Sequence, residues 1–270
     1  MGRTRRTLAI VAFTLVSCSS QVVPASTPTT DAITLRLYTS SATMPLTNDL
    51  TRGYTWIQPT ISFDLIISNY DQIIDLITDE NPAYFVTNHL PVESILWGAP
   101  IGQDGIAIVT HPDNPVTNLT TEQLRRIYQG RIVNWQDVGG LDIPITVISR
   151  EEGSGTRAEF ERLVMGERRT VQSAEIAPSS AAVIISAGRE PGSIGYVSMS
   201  YVDAGVRAIR INNIEPTLEN VYMNTYPLRA TLFIAGLNEP QNEYRTFIAW
   251  VQSLEGQAVV ARRYAPLSRP

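Results

Sequence analysis

The chain has 270 residues, 43% hydrophobic and 17% charged, which is enough apolar content for one large domain or two smaller ones and too much for a disordered tail. A formal charge of −5 argues against a groove that tracks nucleic-acid phosphates. Every basic residue is an arginine, which excludes a Schiff-base lysine and a P-loop lysine; with only His89, His111 and Cys18 as Cys/His ligands, no such metal site is expected.

Arg3, Arg5 and Arg6 precede a short apolar run, Leu8 to Val16, in the pattern of a secretory signal rather than a membrane span. Leu15-Val16-Ser17-Cys18 resembles the bacterial lipobox. That resemblance implies a signal peptide over residues 1–17, lipid on Cys18, and a protein anchored on the outer face of the cytoplasmic membrane. Cleavage there removes three arginines and no acid, taking the charge to −8. A body this acidic does not draw anions by its overall field, so an anion site must rely on local donors. Residues 18–32, rich in Ser, Thr and Pro, read as a flexible tether.

Strands are expected at Ile33 to Tyr38, Ile61 to Ile67, Tyr84 to Val86 and Gly105 to Thr110, with Ile73, Ile74 and Ile77 at helical spacing. Thr120 and Gln123 form a capping-box pattern before Leu124, Ile127 and Tyr128, and Gly130 ends that helix. Ile143 to Ser149 reads as a strand, and Phe160, Leu163 and Val164 as a helix stopped by Gly166. Ser179 or Ser180 caps a further helix through Ala187, and Ile194 to Val197 follows as a strand. Phe247, Ile248 and Val251, then Ala258 to Arg262, mark two last helices. The alternation predicts an α/β architecture with a largely parallel sheet, whose ligands sit at the carboxyl ends of strands.

One such strand-to-helix junction is REEGSGTRAEF, Arg150 to Phe160. A Gly-Ser-Gly turn can aim several N–H groups at one point, a helix N-terminus adds donors and partial positive charge, and Arg150 adds a planar fork. Ser154 and Thr156 add hydroxyls, and the set suits a tetrahedral oxyanion. Taken alone the turn reads as an ordinary capped loop. A serine-hydrolase reading of Ser154 is disfavoured, because the glycines flank the serine directly instead of in G-x-S-x-G order and only His89 and His111 could partner it. Glu151 and Glu152 read as solvated loop charges.

Several longer stretches resemble periplasmic phosphate-binding proteins of ABC importers: GIAIVTHPDNPVTNLTTEQLRRIYQGRIVNW from Gly105, ISREEGSGTRAEF from Ile148, PGSIGYV from Pro191, TYPLRATLF from Thr225, and EGQAVVARRYAPL near the end. The resemblance runs from about residue 33 to 267 and implies the type II periplasmic binding-protein fold, two α/β lobes around a ligand cleft. Lobe one is then expected at 33–109 plus 206–270 and lobe two at 110–205, in a monomer without a cofactor that serves a membrane ABC permease.

By that resemblance Arg150, Ser154, Gly155 and Thr156 carry the intact half of the phosphate motif. Thr43 and Met44 stand in the first-lobe loop that supplies a hydroxyl and backbone N–H, and Ser68 keeps a hydroxyl where the family's following glycines are missing. Asn88 stands where the family has an aspartate. A buried carboxylate accepts the proton of hydrogen phosphate and repels sulfate, so Asn88 implies relaxed selectivity; a shifted alignment would let Asp71 or Asp75 supply the carboxylate. The same departures leave open a sensor or interaction module of this fold with weakened anion binding.

Overall fold

The computed structural model describes residues 32–79 and 82–268, together with Gly2. Apart from Gly2 and Ala32, the expected signal peptide, Cys18 and the expected tether lie outside the described residues. The unit that begins at Ala32 carries every element below.

Its first part holds β1 (Ile33–Thr39), α1 (Met44–Ile57), β2 (Ile61–Ile67), α2 (Tyr70–Asp79), β3 (Tyr84–Thr87) and the long β4 (Trp97–Thr110). Then come β5 (Asn118–Leu119), α3 (Thr121–Tyr128), β6 (Thr146–Arg150) and α4 (Gly155–Phe160), which runs into a π-helical turn over Glu161–Met165. β7 (Glu175–Ala177), α5 (Ser180–Arg189), β8 (Ser193–Ser198), β9 (Arg207–Ile211), α6 (Leu218–Tyr222), β10 (Arg229–Gly236), α7 (Asn242–Gln252) and α8 (Leu254–Val260) complete the chain. The capping box at Thr120 forms as expected: its hydroxyl accepts the Gln123 N–H at 3.1 Å, and Gln123 Oε1 accepts the Thr120 N–H at 2.8 Å.

The strands order as β2-β1-β3-β10-β4-β8-β6-β7, with β9 on β4 and β5 on β9. The expectation of a largely parallel sheet holds only away from the middle. β1 is parallel to β2 and β3, and β6 to β7 and β8, whereas β10 runs against both β3 and β4, and β4 against β8 and β9. The cause is β4 itself. It pairs with β10 up to Gly105 and with β8 from Ile106, so one strand threads two sheets.

Alternation along the strands fills a core on each face of each sheet. Ile106 and Ile108 face the core with Tyr128, Trp135, Phe160 and Tyr196, and Ala107 and Val109 face the one with Ile148 and Val183. In the first sheet Leu35, Leu37 and Val86 face α1, α7 and α8, while Tyr38 and Phe85 face α2. Residue 206, the expected start of the return to lobe one, stands just before β9. β9 pairs with β4, and Val221, Tyr226 and Leu228 pack in the second sheet's core, so the chain rejoins the first sheet only at Arg229.

Asp104 sits where β4 changes partners, almost wholly buried. Neither carboxylate oxygen has a hydrogen-bond partner. Burial pushes the carboxyl up to about 7, and the nearby Ser198 hydroxyl and the N–H groups of Gly105 and Met199 offset only part of that. A carboxyl raised on folding stabilises fully below its ordinary value of 3.8, and the contribution is lost as pH rises to about 7. Thermal melts across that window should show wild type losing stability relative to Asp104→Asn, by up to about 4 kcal/mol. Parallel pH profiles for the two proteins would contradict this placement.

Candidate anion-binding site

The carboxyl ends of β1, β2, β6 and β7 meet around a cavity of about 400 Å³, and each is followed by a helix N-terminus. From the first sheet come Ser40, Ser41 and Ala42 ahead of α1 and Ser68 and Asn69 ahead of α2. From the second come Arg150, Glu151, Ser154 and Gly155 at α4 and Pro178 and Ser179 at α5. Cavities of about 720 and 590 Å³ lie elsewhere, one against Glu239 and Glu243 and one against Trp56 and Trp250, and neither joins the two sheets.

Arg150 is the centre of the smaller cavity, 2% exposed at the end of β6. Its guanidinium grips Glu151 with both arms, Nε to Oε2 at 2.7 Å and Nη2 to Oε1 at 2.8 Å. Nη1 donates to the Ser180 hydroxyl at 3.2 Å and Nη2 to the Ser41 hydroxyl at 3.1 Å. Glu151 is therefore no solvated loop charge: it shares the positive charge of Arg150, while Glu152 stays exposed. The backbone around the arginine is also tied, Arg150 N–H to the Tyr196 hydroxyl and its carbonyl to Arg157 Nη1, each at 3.2 Å. With the charge locally balanced, an anion here is held chiefly by neutral dipoles and helix N-termini.

Ser154 caps α4 by accepting the Arg157 N–H at 3.3 Å, and Ser179 caps α5 through the Ala182 N–H at 3.2 Å. Thr156 is buried behind Gly155, its hydroxyl accepting from Asn88 Nδ2 at 3.0 Å. On the first-sheet side Thr43 and Met44 stand one step behind the cavity wall. Both N–H groups donate to the Ser40 carbonyl, and the Thr43 hydroxyl donates to Val86 O at 2.9 Å. The loop instead presents Ser41 and Ala42, whose N–H groups make no backbone hydrogen bond among the described residues. Ser68 lines the cavity with its hydroxyl donating to Gln72 Oε1. Asn88 is 1% exposed and, like Thr156, does not line the cavity; its amide oxygen has no partner. Asp71 and Asp75 are exposed and line no part of the cavity.

Sequence reasoning missed Ser40, Ser41, Ser180 and Tyr201. Ser41 accepts from both Arg150 and the Ser180 N–H, and its carbonyl takes the Tyr201 hydroxyl. Burial pushes the Tyr201 phenol up, partly offset by Arg150, so it stays a donor. The repeat Ser-Ser after a strand was the available signal. Neither histidine hydrogen-bonds Ser154: His89 pairs with Glu159, and His111 accepts the Asp113 N–H.

The chain as a whole resembles known proteins. Residues 78–255 match the PBP superfamily domain, and the chain belongs to that family. A phosphate-binding protein PstS of Borreliella burgdorferi is 30% identical over 169 residues, 58% of this chain and 61% of that protein; one of Bacillus subtilis is 29% identical over 167 residues, 61% and 55%. The matches thus span less than two thirds of those relatives' length. A substrate-binding protein from Clostridium perfringens, solved with bound phosphate, superposes with a TM-score of 0.82 at 29% identity, covering 87% of this chain and all of that one. An ABC-type phosphate transport receptor from Vibrio cholerae gives 0.72 at 27%, with the same coverage. The fold is the type II periplasmic binding-protein fold.

Replacing Arg150 leaves Glu151 partly buried without its cation and removes the one positive centre of the cavity. Arg150→Ala should weaken binding of a tetrahedral oxyanion, phosphate or sulfate, by roughly 30-fold or more in titration calorimetry. Unchanged affinity would remove Arg150 from the site.

Proposed function

We propose that this chain is an extracytoplasmic solute-binding protein that captures phosphate, or a similar tetrahedral oxyanion, and delivers it to an ABC importer. The observation that carries the reading is a buried arginine in a cavity fed by helix N-termini from both sheets. The phosphate-binding relatives support it. On this reading residues 33–105 with 229–268 form one lobe and 106–228 the other, joined where β4 passes between sheets and where the chain enters β10. The lobes close on the anion, the closed form docks on the permease, and no bond is broken. The protein acts as a monomer without a cofactor. Residues 1–17 direct export, lipid on Cys18 holds the protein to the outer face of the membrane, and residues 18–32 tether the body. Among the described residues no helix is long and apolar enough to cross a membrane.

Asn88 qualifies the ligand. Its amide gives the Thr156 hydroxyl a donor and leaves an unpartnered acceptor, and no carboxylate other than Glu151 lines the cavity. A neutral acceptor takes the proton of hydrogen phosphate but repels sulfate less than a carboxylate does. The same feature favours, as a second reading, a sensor with altered anion binding; a neighbouring permease gene would point to import, and a kinase or cyclase partner to sensing. Titration of the purified protein should give one-to-one binding of phosphate, preferred over sulfate by less than about 100-fold. A preference above about 10⁴ would overturn the relaxed selectivity, and failure to bind either anion would overturn the reading.

A further inference from the structure

The Gly-Ser-Gly turn is also where the two halves touch. Gly153 (φ +77°) offers its carbonyl to the Tyr70 N–H at 2.9 Å, and a Cβ on it would lie 3.0 Å from both Asn69 Oδ1 and Asp71 Oδ2. A Cβ on Gly155 would lie 2.7 Å from Asn88 Oδ1 and 3.1 Å from His89 Cβ. The first contact of each pair is a side-chain end that can swing aside, but His89 Cβ is fixed to its backbone. The bare faces of these glycines therefore meet two different loops of the first sheet, those entering α2 and leaving β3.

Beside them lies a hydrogen-bonded histidine–carboxylate pair that the anion site does not use. His89 Nδ1 meets Glu159 Oε1 at 2.8 Å, and the Glu159 side chain is only 8% exposed. The other oxygen accepts from Arg162, Nε at 3.0 Å and Nη2 at 2.6 Å. The Tyr70 ring stands edge-on to His89 with centroids 5.1 Å apart, and Asp71 of the same helix lies against Gly153. His89 belongs to the loop after β3 and Glu159 to α4, so the pair spans the cleft.

We infer that the Gly153–Gly155 turn is the landing surface for lobe closure and that His89 and Glu159 form the latch that holds the closed form on its anion. This rests on the lobe-closure reading above. The carboxylate keeps Arg162 in either state but meets His89 only when the halves are together. The pair therefore stabilises the state from which the anion leaves, not the one it enters. His89 and Glu159 are positioning residues that set residence time and leave capture alone.

Acid should open the latch. Burial alone would raise the Glu159 carboxyl, but the hydrogen bonds from His89 and Arg162 hold it below its ordinary 4.5. A lowered carboxyl contributes above its value in the separated state, and the contribution is lost as pH falls through the value in the paired state. The charged and titratable groups around the pair are Arg162 from the π-helical turn and Tyr70 and Asp71 from α2.

Stopped-flow binding of inorganic phosphate tests this on wild type, His89→Gln, Glu159→Gln and the double variant. Each single variant should raise the dissociation rate roughly three- to tenfold with the association rate unchanged, and the double should exceed neither single by much. Below pH 4.5 the wild-type rate should rise toward that of Glu159→Gln, a comparison in which phosphate's own titration cancels. Gly155→Ala, which substitutes neither partner of the pair, should also speed dissociation by keeping the Asn88–His89 loop off its seat. Equal dissociation rates in all four proteins, or strictly additive effects of the two substitutions, would overturn the latch while leaving anion binding intact. Slower association with a matching fall in the melting temperature of the anion-free protein would mark a merely structural role and overturn it too. A wild type that binds no phosphate would overturn the latch and the binding reading together.

Discussion

The structure turns on one buried cation. A guanidinium has five N–H donors, and Arg150 commits two to Glu151, one to Ser41 and one to Ser180 before any ligand arrives. Ser41 stands on the first sheet, and Glu151 and Ser180 on the second, so the arginine spans the cleft as well as lining it. Its carboxylate partner removes most of the net charge that would otherwise have to be desolvated. What remains is a cavity with a planar fork, hydroxyls and several helix N-termini, in a body whose overall charge repels anions. Asn88 stands beside this cavity without lining it, behind Gly155 and hydrogen-bonded to Thr156, and its amide oxygen has no partner.

The fold makes this convergence possible by a topological device. Parallel strands aim their carboxyl ends, and the helices that follow, toward one edge of a sheet. Two such sheets face each other only because β4 runs through both and β10 enters beside it. Antiparallel pairing at the centre is the geometric consequence. Asp104 occupies that junction with neither oxygen hydrogen-bonded, a polar group kept in the strand where the protein has two halves to join.

Much of this was legible in the residues, for reasons that differ by element. The α3 capping box and the apolar run from Gly105 to Thr110 are local signals; the first forms as read, and the second is the end of the longer strand β4 from Trp97. The helix α1 was not assigned, although Leu46, Leu50 and Tyr54 repeat at four-residue intervals, because Thr, Asn and Arg between them dilute the apolar face. β9 and α6 are short, and only their packing against β4 and Tyr226 shows which core they serve. At the site, the second-sheet motif is contiguous in sequence, so Arg150, Ser154 and Gly155 were found together. Ser41, Ser180 and Glu159 act through partners 30 to 139 positions away, and no local pattern reports such pairings.

On the proposed function one oxyanion sits between the two sheets, held by Arg150 and the first turns of α1, α4 and α5. A crystal structure of the purified protein with phosphate tests it most directly. Tetrahedral density should lie within hydrogen-bond distance of Arg150, of the Gly155 N–H, and of the Ser41 or Ala42 N–H. An empty cavity at saturating phosphate, or the anion bound elsewhere, would contradict it.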